Sequence, residues 1–119
     1  MRQAVLEHVN ITVSDPVRTA ALMTVLFGWQ VRWQGPAKLG GHTVHVGPED
    51  CYLAVYSNGS APPTGRLNHV GVVVGDLDAV EKRVLAAGYR THSHGDYAPG
   101  RRFYFNDHDD IEFEVVSYD

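Results

Sequence analysis

The sequence predicts an α+β fold made of two copies of a strand–helix–strand–strand–strand module, and three observations predict it. First, LEHVNITVSD (6–15) lies over LNHVGVVVGD (67–76) at an offset of 61 residues. Leu6/Leu67, His8/His69, Val9/Val70, Val13/Val74 and Asp15/Asp76 recur in register. Second, each copy continues into a helix-like stretch that ends in glycine and an aromatic, Gly28-Trp29 and Gly88-Tyr89. Third, each half closes on an apolar run, CYLAVY (51–56) and IEFEVV (111–116), 60 residues apart. Repetition at that period makes one module the unit of folding. A module this small buries little alone, so both are expected to pack into a single domain, 1–119. Module 1 then covers about 4–57 and module 2 about 67–119. A linker over 58–66 takes in most of the Ser-, Gly- and Pro-rich run SNGSAPPTG (57–65).

The elements follow in order. Residues 5–13 and 67–74 alternate with β-branched residues and read as strands. Asp15 precedes Pro16, and Asp76 precedes Leu77. Asp is a good N-cap and Pro suits the first turn, so helices are expected over 16–27 and 77–87. Leu77, Val80, Val84 and Leu85 fall on one stripe of the second helix. Gly28 and Gly88 stand where the helices end. Further strands are expected near 29–34, 41–47, 51–57, 89–94, 101–106 and 111–117.

Composition bounds the function. The chain has 119 residues, 44% hydrophobic and 20% charged, enough apolar material for a core and too much for a disordered chain. Ten basic and 14 acidic residues give a net charge of −4, and no basic block exists, so no nucleic-acid partner is expected. Apolar runs fall far short of a membrane span. The start, MRQAVLEHVN, has no signal-like apolar stretch, and the lone Cys51 fits a reducing cytoplasm.

Strand alternation sorts side chains onto two faces. Val9, Ile11 and Val13, with Val70, Val72 and Val74, share the faces that helices would cover. Ile111, Phe113 and Val115 do the same in the last strand, leaving Glu112 and Glu114 on the other face with His8 and His69. If the copies pair about a pseudo-twofold axis, the two equivalent histidines converge. A last-strand carboxylate then completes a two-His, one-carboxylate set, the facial arrangement for a divalent transition metal. A solvated sheet face explains the same pattern without a metal.

The run Phe103-Tyr104-Phe105-Asn106-Asp107-His108-Asp109-Asp110-Ile111-Glu112-Phe113-Glu114-Val115, together with the repeat, resembles the vicinal oxygen chelate superfamily of glyoxalase, bleomycin-resistance and dioxygenase-like proteins. That ending is usually aromatic-rich, then Asp-Pro-Asp-Gly, then a strand with a ligand Glu. Here His108 replaces the Pro and Asp110 the Gly. The resemblance implies a cupped, mostly antiparallel sheet with the helices outside. It also implies metal ligands from the first and last strands of each module: His8, His69 and Glu114, with Ala54 at the fourth position, where no ligand is possible. That three-ligand set resembles those of fosfomycin-resistance thiol transferases and extradiol dioxygenases. The ion would be Mn, Fe, Ni, Co or Zn. The substrate would be a small molecule that chelates it through adjacent oxygens, in lyase, isomerase, thiol-transferase or dioxygenase chemistry. A homodimer is implied as well.

Other residues keep two readings. Glu112 is the rival ligand, or a general base. Tyr104 is a substrate contact or a packed sheet tyrosine. Arg102, like Arg101, meets an anionic substrate or caps a solvated strand end. Tyr52 and Tyr56 flank Ala54 and form an aromatic wall or plain cross-strand packing. With Trp29 and Trp33 they support the alternative function, a metal-free protein that sequesters an antibiotic or aromatic ligand. His92 and His94 are expected on one strand face, as are Trp29 and Trp33. Cys51 is expected in the core and His108 at the surface.

Overall fold

The computed structural model describes residues 6–37, 40–59, 67, 69–97 and 99–119. The chain divides into two compact units, Met1–Pro62 and Pro63–Asp119. Most of the expected linker lies outside the described residues. Module 1 runs β1 (His8–Thr12), α1 (Pro16–Phe27), β2 (Gln30–Pro36), β3 (His42–Gly47) and β4 (Tyr52–Ser57). Module 2 runs β5 (Val70–Val73), α2 (Leu77–Ala86), β6 (Thr91–Asp96), β7 (Arg101–Asn106) and β8 (Glu112–Ser117). Both are βαβββ, as expected, and the class is α+β.

The two sheets share one topology, β1-β4-β3-β2 and β5-β8-β7-β6. In each, the first strand pairs with the last in parallel and the other ladders are antiparallel. The parallel pairing requires a crossover, and the helix supplies it. Asp15 and Asp76 cap the helices as expected, accepting from the backbone N–H groups of Arg18 at 3.2 Å and Ala79 at 3.0 Å. At Gly28 α1 stops in a left-handed conformation, φ 74°, which favours glycine. Among the described residues no helix is long and apolar enough to cross a membrane.

Each helix covers one face of its own sheet. In module 1, buried Met23 and Leu26 of α1 join Val44, Val46 and Val55 in the core. In module 2, Leu77, Val80 and Val84 of α2 are buried with Phe103, Phe105, Phe113 and Val115. The Phe105 and Phe113 rings stack 5.1 Å apart across the β7–β8 ladder. Leu85, expected on the buried stripe, is 53% exposed. It follows Val84 by one residue, and the stripe is too narrow for both.

Two irregular edge strands change which side chains share a face. In β2 the register shifts between Val31 and Trp33, so Arg32 is the extra residue of a bulge. The tryptophans expected together are separated: Trp33 packs on His45, and Trp29 packs on Phe27. In β6 the register shifts between His92 and Gly95, and Ser93 takes φ 55°. His92 therefore stacks on Tyr104, whereas His94 turns to Glu81 of α2, and the expected His-x-His pair does not exist. Two further expectations are corrected. Cys51 is exposed just ahead of β4. His108 is largely buried in the β7–β8 turn, its Nδ1 3.0 Å from the Tyr89 hydroxyl.

Candidate functional site

In each module the face away from the helix carries a row of polar and aromatic side chains, one from each strand. Strand register explains the row. In module 2 Glu114 of β8 stands between Gly71 of β5 and Tyr104 of β7. His92 of β6 is the next partner of Tyr104. His69, just before β5, completes the set: its Nε2 lies 3.3 Å from Glu114 Oε1. The other carboxylate oxygen accepts from Arg102 Nη1 at 3.0 Å. Arg102 is held in turn by the Pro99 carbonyl at 2.6 Å and by the Tyr97 ring, 4.8 Å from its guanidinium carbon. Tyr104 meets the His69 ring edge-on at 6.0 Å and stacks with His92 at 6.2 Å. His92 is tied by Nε2 to Asn106 at 2.8 Å.

This arrangement has chemical consequences. Burial, then the negative charge of Glu114, pushes the Tyr104 phenol above its ordinary pKa. At neutral pH it is a hydrogen-bond donor, not a base. Burial works hardest against the Arg102 charge, but the bond to Glu114 together with the fields of Tyr97, Glu114 and Tyr118 raises its pKa. The Arg102 Nε–H is buried and meets no acceptor among the described residues. Glu112, the rival carboxylate, is half-buried on the same strand and stands opposite Asn106.

Two donors sharing one first-row cation at ~2.1 Å each stand ~3.0–3.4 Å apart at tetrahedral to octahedral angles. The His69–Glu114 separation of 3.3 Å falls in that range. An imidazole and a carboxylate are also suitable ligand types for such an ion. Among the described residues no group of three or more His, Cys, Asp or Glu stands as a metal cluster.

Module 1 shows the same register with different chemistry. Ala54 lies between Asn10 and His45, as Glu114 lies between Gly71 and Tyr104. His8 of β1 stacks on Tyr52 of β4 at 5.0 Å, and Tyr52 stacks on His45 of β3 at 4.5 Å. His45 then packs against Trp33 of β2 at 5.1 Å. The rings follow the strand order of the sheet. His8 Nδ1 also pairs with Glu7 at 2.8 Å. Tyr56 sits two residues further along β4, its hydroxyl donating to the Gly40 carbonyl at 3.2 Å. Burial first, then the nearby charges of His8 and Arg32, lowers the His45 pKa. Sequence reasoning found His8, Tyr52 and Trp33 but missed His45 and Arg32 as their neighbours. His45 corresponds to Tyr104 by strand register alone; the sequence offset of 60 sets Tyr104 against Val44, so the repeat does not point to His45.

With this geometry in hand, likeness to known proteins becomes informative. Residues 5–115 match the family model of the Glyoxalase/Bleomycin resistance protein/Dioxygenase superfamily, and the chain belongs to that superfamily. None of the curated proteins compared with the chain matches it. Among solved structures, a glyoxylase/bleomycin resistance protein/dioxygenase domain from Frankia sp. EAN1pec superposes with a TM-score of 0.83 at 21% identity, covering 98% of each chain. TnmS3, an antibiotic binding protein from Streptomyces sp. CB03234, gives 0.81 at 20% identity over 98% of each chain. The fosfomycin resistance protein FosX from Listeria monocytogenes, crystallised with Mn(II) and sulfate, gives 0.77 at 18% identity, over 98% of this chain and 93% of its own. At these identities the likeness is one of fold.

Proposed function

We propose that this protein is a metal-dependent enzyme of the superfamily, acting on a small substrate with adjacent metal-chelating oxygens. The observation that carries the reading is the His69–Glu114 pair at ion-sharing distance. His8 is the repeat equivalent of His69 and is proposed as the third ligand. A divalent Mn, Fe, Ni, Co or Zn ion held there would stabilise negative charge developing on substrate oxygens. This chain's own groups do the rest. Arg102 is proposed to pair with an anionic substrate group. Tyr104 donates a hydrogen bond from a phenol kept protonated. Glu112 is proposed as the base that moves a substrate proton. Tyr52 and Tyr56 are proposed to border the substrate. A homodimer working in a reducing cytoplasm completes the proposal, and sedimentation equilibrium tests the dimer.

Elemental analysis of protein purified without chelator and soaked in Mn(II) tests the metal. One ion per chain is expected in the wild type, lost in His69→Ala and Glu114→Gln, and kept in Glu112→Gln. Unchanged content in His69→Ala overturns the reading.

A second reading has its own observation, the four-ring row of His8, Tyr52, His45 and Trp33. It favours a metal-free protein that sequesters a flat aromatic or antibiotic ligand. Binding of such a ligand that persists in chelator, without turnover, and is lost in Tyr52→Ala and His45→Ala but kept in Trp29→Ala decides for it.

A further inference from the structure

Module 1 contains a groove next to, but distinct from, the four-ring row of His8, Tyr52, His45 and Trp33. It lies where α1 stops, beside the β3–β4 turn, and its volume is about 620 Å³. That is within the ~300–1,000 Å³ typical of small-molecule sites. Phe27, Trp29, Arg32, Gly47, Pro48 and Glu49 are among its lining residues.

Several independent features build it. The left-handed turn at Gly28 carries the chain from the helix to Trp29, and a Cβ there would meet open space. Thr24 Oγ1 donates to the Trp29 carbonyl at 2.7 Å and fixes the turn. The Phe27 and Trp29 rings lie 5.3 Å apart at 42°, a ready-made aromatic wall. Opposite, the β3–β4 turn closes so tightly that a Cβ on Gly47 would stand 2.4 Å from the Cys51 carbonyl oxygen. Between them stands Arg32, delivered by the β2 bulge. Its Nη1 donates to that carbonyl at 3.3 Å, and its guanidinium carbon lies 4.9 Å from the Tyr52 ring centre. One bond to a neutral acceptor leaves most of the guanidinium's donors for a ligand.

We propose that this groove binds a planar aromatic monoanion, such as an aryl carboxylate, with its ring on the Phe27–Trp29 wall and its charge at Arg32. The class follows from the lining. Aromatic walls select flat rings. An exposed guanidinium matches a carboxylate bidentately. Glu49 disfavours a second negative charge. The site involves no proposed metal ligand, so it stands or falls apart from the enzymatic reading.

Isothermal titration calorimetry in chelator tests it, with 1-naphthoate, its neutral counterpart 1-naphthalenemethanol and the non-planar cyclohexanecarboxylate as probes. The full-length wild type is expected to bind naphthoate saturably and at least about ten-fold more tightly than either other probe. Arg32→Gln should abolish the preference for the anion, and Glu49→Gln should keep or tighten naphthoate binding. Trp29→Ala should lose binding while Trp29→Phe keeps it. Unchanged binding in His69→Ala separates this site from the metal. The proposal is overturned if naphthoate shows no saturable binding, if the alcohol binds equally well, or if Arg32→Gln binds as the wild type does.

Discussion

Glu114 is engaged on both sides: His69 Nε2 stands 3.3 Å from one oxygen, and Arg102 donates to the other. A carboxylate on a last strand was legible in the sequence; that an arginine two strand positions from Tyr104 would claim half of it was not. Arg102 reaches Glu114 because β7 and β8 are neighbours, a fact of pairing rather than of pattern. Asp107 shows the same limit. Its Oδ1 accepts from the backbone N–H groups of Asp109 at 2.9 Å and Ile111 at 3.0 Å, which pins the β7–β8 turn. Its Oδ2 is buried and meets no hydrogen-bond partner among the described residues. Burial raises the Asp107 pKa, and the two backbone bonds offset only part of the rise. The protonated form is therefore favoured by folding. Its contribution to stability is full below the ordinary carboxyl range and is lost as pH rises through the raised value. Asp107→Asn keeps an accepting oxygen without the charge. Urea unfolding between about pH 4 and 7 should show the wild type losing stability relative to Asp107→Asn as pH rises. A constant difference would contradict the assignment.

The elements were legible where local chemistry decides them. Both N-caps, the glycine stop of α1 and every strand are near their expected places, because capping and alternation act over a few residues. Replacing Asp15 by Ala removes the bond to Arg18 N and should cost about 1 kcal/mol by urea denaturation. The β7–β8 turn offers the opposite change. Asp110 takes φ 62°, the conformation glycine adopts freely, at the position where the superfamily's usual ending has Gly. Asp110→Gly should gain up to about 1 kcal/mol, reduced by loss of the 3.3 Å contact from Asn106 Nδ2. A destabilised variant would show that this contact outweighs the strain. The bulges in β2 and β6 were illegible. Val-Arg-Trp-Gln and His-Ser-His-Gly read as plain alternation, yet one extra residue in each moves the side chains that follow to the other face.

At the scale of the whole molecule, the chain is two similar modules, each with one helix, one four-stranded sheet and its own apolar cluster. A unit of about 60 residues buries only ~60% of its extended-chain surface, so each module alone is marginal. Residues 67–119 expressed alone are expected to unfold at a lower urea concentration than the full chain, with a smaller m-value. Equal midpoints would show module 2 to be self-sufficient.

The amino-acid order by itself determined the repeat, the helix boundaries, the alternation of most strands and the membership in a superfamily of βαβββ proteins. Those properties are written in spacings of two to four residues and in one long period. Only the tertiary structure decided that Arg102 shares Glu114 with His69, that His92 and His94 part company, and that Arg32 and Trp29 line one groove. Side chains far apart in the chain meet according to strand order and register. Register depends on backbone hydrogen bonds that every residue type makes alike, so the pattern of side chains leaves it unmarked.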